Sequence, residues 1–240
     1  MISNKQLNKC FTAVLFDLDG TLIDSEPLQF KANRILFKQY GKHYSRKEQA
    51  EFLGVRTADE LRLLKQRWRL KVNLKKLITQ RKKIILGLLG TDLKLMPGVV
   101  KTLKNLQAAK YLLGLGTSGE VWYVKRVLQQ FKLKKYFQAV VTGNDVTKSK
   151  PDPETYLQLS SRLKTAPQKC LVVEDAPAGI AAAKAADMSY WVVRNKRINA
   201  EFYLDNGKKI LDFSSQTLNL SLGHSHPELI SAAKKQLGLF

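Results

Sequence analysis

Five short apolar runs constrain this chain more than any other feature: Ala13-Val14-Leu15-Phe16, Leu112 to Gly116, Ala139-Val140-Val141, Cys170 to Val173 and Tyr190 to Val193. Their apolarity is continuous rather than alternating, as in strands covered on both faces. Helical spacing separates several of them. Val99, Val100, Leu103 and Leu106 repeat at that spacing, as do Val124, Val127, Leu128 and Phe131, and a further helical pattern follows Gly179. Strands alternating with helices specify an α/β fold around a mostly parallel sheet.

The alternation breaks once. Between Asp24 and Leu93 no strand pattern is found, and helical patterns run from Leu28 to Tyr40 and from Ala58 to Leu70. A stretch of this length suffices for a small helical domain inserted after the first strand. Met96-Pro97-Gly98 marks the return to the core.

The insert is also where positive charge collects. The chain has 41 Lys+Arg against 20 Asp+Glu, a net charge of +21, and no acid stands between Leu61 and Thr91. Such a balance points to anionic partners, among them phosphorylated metabolites, nucleic acid or an acidic membrane surface, or else to a solvated basic face. In the functional reading these cations form a positive wall that draws anions to the cleft below. Trp68, between Arg67 and Arg69, is expected to anchor a core, with base stacking as its alternative.

Other classes are excluded. An apolar fraction of 44% with 25% charged residues is that of a globular protein. No apolar run approaches the ~20 residues of a membrane span. The stretch from Met1 to Cys10 lacks the apolar core of a signal peptide. Two cysteines, Cys10 and Cys170, give no disulfide framework and are read as small core residues. The expectation is a cytoplasmic protein.

Chemistry gathers at the strand ends. The first run passes directly into Asp17-Leu18-Asp19-Gly20-Thr21. Two carboxylates beyond a strand end divide labour, one attacking or binding metal while the other handles a proton. Thr117-Ser118-Gly119 places hydroxyls just past the second run, where they suit phosphate oxygens. Lys150 stands in the stiff loop Ser149-Lys150-Pro151-Asp152-Pro153, where a held cation neutralises phosphate charge. Glu174-Asp175 ends the fourth run in a second acid pair. Four carboxylates at one sheet edge repel unless a cation joins them, and oxygen ligands of this kind suit Mg²⁺.

Acid pair, hydroxyls, lysine and acid pair, in that order, resemble the haloacid dehalogenase superfamily, in particular its phosphatase and phosphomutase branch near β-phosphoglucomutase. Phe16-Asp17-Leu18-Asp19-Gly20-Thr21-Leu22-Ile23-Asp24-Ser25-Glu26-Pro27 carries the first motif, Thr117-Ser118 the second, Lys150-Pro151-Asp152-Pro153 the third, and Glu174-Asp175 with Gly179 the fourth. The resemblance covers Phe11 to Val193. It implies a Rossmann-like core over residues 1–23 and 94–198 and a helical cap over 24–93. It further implies that Asp17 forms an aspartyl-phosphate and that Asp19 protonates the leaving oxygen and then activates water. Mg²⁺ would sit among Asp17, the Asp19 carbonyl, Glu174 and Asp175, with Thr117, Ser118 and Lys150 on the phosphoryl oxygens. Leu53-Gly54-Val55-Arg56 resembles a cap segment that contacts substrate, which makes Arg56 an expected contact, although out of register with the mutase's arginine. Gln29 and Ala176 stand where many relatives carry His and Ser. The implied activity is hydrolysis of a small phosphorylated metabolite, with a sugar phosphate foremost. A sugar phosphomutase and a non-catalytic polyanion-binding protein are the alternatives. The complete catalytic set argues against nucleic acid as the partner.

The last stretch departs from this pattern. Asn206-Gly207, between Phe202-Tyr203-Leu204 and Ile210-Leu211, signals a β-hairpin. Residues 199–240, with Gly223-His224-Ser225-His226-Pro227, resemble the N-terminal stretch of class III aminotransferases. The large domain and Schiff-base lysine of those enzymes are not in this sequence, so the tail is not a working transaminase. His224 and His226 lack a third ligand nearby that would make them a metal site.

Overall fold

The computed structural model describes residues 11–193, together with 203–204 and 208–209. In chain order its strands are β1 (Ala13–Phe16), β2 (Ile23–Asp24), β3 (Lys94–Leu95), β4 (Leu112–Gly116), β5 (Ala139–Val141), β6 (Cys170–Glu174), β7 (Ser189–Val192), β8 (Tyr203–Leu204) and β9 (Lys208–Lys209). The five apolar runs are thus β1, β4, β5, β6 and β7, and they form a parallel sheet in the order β5-β4-β1-β6-β7. All four residues of β1 are buried, as a central strand with both faces covered requires. β8 adds antiparallel to β7, and β9 antiparallel to β8 with Leu204 opposite Lys208. The Asn206-Gly207 turn, Cys10, the His224 and His226 pair and the remainder of the aminotransferase-like tail lie outside the described residues.

The chain leaves the core and returns through β2 and β3, which pair antiparallel, Asp24 opposite Lys94. Between them run α1 (Glu26–Lys38), α2 (Arg46–Glu51), α3 (Thr57–Arg67) and α4 (Leu74–Asp92). Local chemistry sets their limits. Ser45 and Glu48 form a reciprocal capping box at α2, and the Asn73 side chain accepts from the Lys75 N–H at α4. α3 stops three residues short of the expected Leu70, because Arg69 turns left-handed at φ 50°. The insert has its own apolar cluster, including Leu36, Phe37, Leu61, Leu64 and Leu77. Trp68 meets Phe37 edge to face at 4.7 Å and serves as the expected core anchor. Burying each such side chain contributes about 1.5–3 kcal/mol.

The remaining helices cover the two faces of the sheet. α5 (Val99–Ala108) and α6 (Val121–Gln130) share a core with Val14 and Phe16 of β1. On the opposite face, α7 (Glu154–Arg162) and α8 (Pro177–Ala185) pack on Ala13 and Leu15. Alternate residues of β1 therefore feed two separate cores. Cys170 is buried, and its surroundings push the thiol up to about 12, which suits the packing role read from the sequence. No described helix is long and apolar enough to cross a membrane.

Candidate active site

Register builds the site. Phe16 pairs with Leu115 of β4 on one side and Val173 of β6 on the other. The residues that follow, Asp17, Gly116-Thr117 and Glu174-Asp175, emerge at one edge of the sheet. This is the carboxyl edge, where open α/β sheets place their ligands.

Lys150 reaches the same edge from the loop before α7. Its Nζ donates to Asp17 Oδ1 and to Glu174 Oε1, each at 2.7 Å, and to the Gly116 carbonyl at 3.1 Å. The side chain is essentially closed off from solvent. Burial works against its charge, but Asp17 and Glu174 outweigh it and hold the ammonium well above the usual lysine range. Glu174 Oε1 also accepts from the Tyr156 hydroxyl at 2.9 Å, and its Oε2 accepts from the Asp175 and Ala176 N–H groups at 2.8 and 3.0 Å.

Two glycines permit this crowding. A Cβ on Gly179 would lie 1.6 Å from Glu174 Oε1, and one on Gly20 would lie 2.1 Å from Asp175 Oδ2. Gly20 also turns left-handed at φ 88°, which carries the chain back after Asp19. Asp175 accepts from the Thr21 hydroxyl at 3.2 Å, and Asp19 Oδ1 accepts from the Tyr123 hydroxyl at 2.7 Å.

One oxygen each from Asp17, Glu174 and Asp175 lies within 4.8 Å of the others. A single lysine faces these three buried acids. Burial raises the Asp17 carboxyl well above its usual range, with Lys150 pulling it back and Glu174 and Asp19 pushing it further. Burial, then Glu174 and Asp17, raise Asp175 likewise. Surplus negative charge on hard oxygen donors fits a divalent cation such as Mg²⁺. Asp17, Glu174 and Asp175 each offer an oxygen to such a cation. Glu174 also fixes Lys150, Tyr156 and the β6–α8 turn.

Above the acids lies a cavity of about 370 Å³, bounded on its other side by the helical insert. Asp17, Asp19, Asp175, Thr117 and Ser118 line it from the core; Gln29, Asn33, Tyr44, Glu60 and Arg81 line it from the insert. Thr117 is buried, with Oγ1 accepting from the Gly119 N–H at 3.0 Å. The Ser118 hydroxyl donates to the Gly54 carbonyl of the insert at 2.9 Å. Lys150 and Glu174 sit beneath the lining rather than in it.

Two groups singled out in the sequence lie away from the cavity lining. Arg56 does not line the cavity. It pairs with Asp59 at 2.8 Å and reaches the Gly143 carbonyl at 3.5 Å, while Asp59 also accepts from Ser149 at 3.1 Å. Arg56 thus belongs to a seam between insert and core. The basic run of the insert does not form a wall over the cleft either. Arg69, Lys71, Lys75, Lys76 and Lys83 are exposed, and none lines the cavity. Sequence reasoning missed Arg81, Tyr123 and Tyr156. Each meets the site through partners far away in sequence, up to 104 residues for Tyr123 and Asp19, and no local spacing announces such a contact.

Residues 14–193 match the family model of the haloacid dehalogenase-like hydrolases, and the chain belongs to that family. It is 35% identical over 211 residues to a phosphorylated carbohydrates phosphatase of Thermotoga maritima, covering 86% of this chain and 93% of the relative. It is 30% identical over 184 residues to hexitol phosphatase B of Escherichia coli, covering 75% and 82%. In fold it is similar to β-phosphoglucomutase from Clostridium difficile, with TM-score 0.74 and 20% identity over 96% of this chain and 100% of that one. It is also similar to CbbY from Rhodobacter sphaeroides, solved with phosphate, with TM-score 0.70 and 23% identity over 77% and 87%.

Proposed function

We propose that this protein is a Mg²⁺-dependent phosphatase that hydrolyses a small sugar phosphate or related phosphomonoester through an aspartyl-phosphate on Asp17. The observation that carries the reading is the placement of Asp17 at the floor of the cavity between core and insert, anchored by Lys150 and with Asp19 beside it. A volume of about 370 Å³ is at the small end of ligand cavities and suits a metabolite rather than a polymer. The named activities of the two relatives, on phosphorylated carbohydrates and hexitol phosphates, support the substrate class.

The chain's own groups divide the reaction as follows. Lys150 holds one Asp17 oxygen, leaving the other to attack phosphorus as the bond to the leaving oxygen breaks. Asp19, oriented by Tyr123, gives its proton to that leaving oxygen. It then takes a proton from the water that attacks phosphorus, which releases phosphate and restores Asp17. Thr117 and Ser118 position the phosphoryl oxygens. A cation held by Asp17, Glu174, Asp175 and the Asp19 carbonyl would supply charge neutralisation on those oxygens. Closure of the insert over the cavity excludes bulk water and strengthens each of these interactions.

The test is phosphate release from a panel of sugar and polyol phosphates with Mg²⁺. Activity that disappears in Asp17→Asn supports the reading, and substantial turnover by that variant refutes it. A phosphomutase would use the same Asp17 chemistry, and product analysis with a hexose bisphosphate present separates the two. A non-catalytic polyanion binder is disfavoured by the small volume of the cavity, which suits a metabolite. Salt-sensitive nucleic-acid binding without phosphate release would restore it.

A further inference from the structure

The charge of the cavity runs opposite to that of the protein. The chain carries +21, yet among the described residues lining the cavity the only cation is Arg81, and seven are acids. Arg81 is itself committed. Its Nε donates to Asn33 Oδ1 at 2.7 Å, Nη2 to Gln29 Oε1 at 2.5 Å and Nη1 to Thr57 Oγ1 at 3.4 Å. The same Asn33 donates to Glu60 Oε1 at 2.8 Å, and that oxygen also accepts from the Tyr44 hydroxyl at 2.8 Å. Arg81 and Glu60 are both 6% exposed. A guanidinium this buried requires a counter-charge, and Glu60 supplies it across the shared asparagine.

We propose that the Arg81–Glu60 pair leaves no uncompensated cation on the insert side of the cavity and so selects phosphomonoesters whose leaving group is an uncharged polyol, rejecting those with a second anionic group. This rests on the phosphatase reading for the role of the bound ester. A second phosphate or carboxylate would find no uncompensated cation there, and the acids of the lining would repel it. Hydroxyl groups would find Gln29, Asn33, Tyr44 and the outer edge of the pair, which both donate and accept. Glu60 is what masks Arg81. Gln at position 60 preserves an oxygen acceptor for Asn33 and Tyr44 and removes only the charge.

The experiment compares two esters that differ by one carboxylate, glycerol 3-phosphate and 3-phosphoglycerate. Dissociation constants are measured with Mg²⁺ by calorimetry in an Asp17→Asn background, so that bound ester persists, and kcat/KM is measured with Asp17 intact. The parent is expected to prefer glycerol 3-phosphate. Glu60→Gln should shift the ratio toward 3-phosphoglycerate by roughly tenfold or more, the scale of a hydrogen bond to a charged group. Arg81→Lys should keep the parental ratio, and Glu60→Gln with Arg81→Met, neutral again, should return to it. A merely structural role would not produce a shift that the second substitution reverses. A parental preference for 3-phosphoglycerate, a ratio unmoved by Glu60→Gln, or a shift that persists in the double variant would overturn the proposal. Binding ratios that move as stated while wild type releases phosphate from no member of the sugar and polyol phosphate panel would sink the phosphatase reading and leave the binding selectivity standing.

Discussion

Asp17 and Asp175 tie the chemistry to stability at the level of single residues. Burial raises both carboxyls, so in the absence of metal the folded protein holds protons that the unfolded chain has released. Stability must then fall as pH rises from the ordinary carboxylate range through the raised folded values, because the folded state binds more protons. Divalent metal needs the deprotonated carboxylates, so its stabilisation grows in the same direction. Thermal unfolding with chelator should show a lower Tm at about pH 8 than at about pH 5, with Mg²⁺ raising Tm more at the higher pH. A chelated protein whose Tm climbs over that interval would contradict the burial of unneutralised acids. Tyr123 gives a second residue-level test. Tyr123→Phe removes the hydroxyl that Asp19 accepts from and should lower kcat more than it raises KM, by roughly tenfold. Unchanged kcat would separate Asp19 from proton transfer.

At the scale of elements, the five core strands were legible because each is a short apolar run with a helical pattern beside it. The site motifs were legible because they directly follow those runs. β2 and β3 were not, since each is two residues long and no period exists at that length. α2, six residues long, is declared by its Ser45–Glu48 capping box rather than by an apolar face. The Arg81 network and the Arg56–Asp59–Ser149 seam depend on helices brought together by the fold, which sequence spacing does not encode. The tight contact between α8 and β6 makes a distinct prediction. Gly179→Ala drives a Cβ against Glu174 within the first turn of α8, where the backbone is fixed by packing on both sides. Destabilisation of about 1–3 kcal/mol by urea unfolding is expected, together with reduced phosphate release, because Glu174 can move only by disturbing Lys150. A variant as stable and as active as wild type would show that the β6–α8 turn yields without cost.

Across the whole molecule, a strongly basic protein carries an acid-lined cavity. The exposed lysines of the insert set the long-range field, while the acids at the sheet edge, answered by one lysine, set the chemistry. If Asp17 carries the phosphoryl group in transit, the group can be found on it. The protein is mixed with Mg²⁺ and a sugar phosphate, quenched in acid during turnover, digested, and its peptides are weighed. One phosphoryl group on the peptide containing Asp17 during turnover, diminished in Asp19→Asn, which lacks the acid that protonates the leaving oxygen, and absent in Asp17→Asn, is the predicted result. Continued phosphate release with no phosphoryl group on that peptide in either the wild type or Asp19→Asn would contradict it.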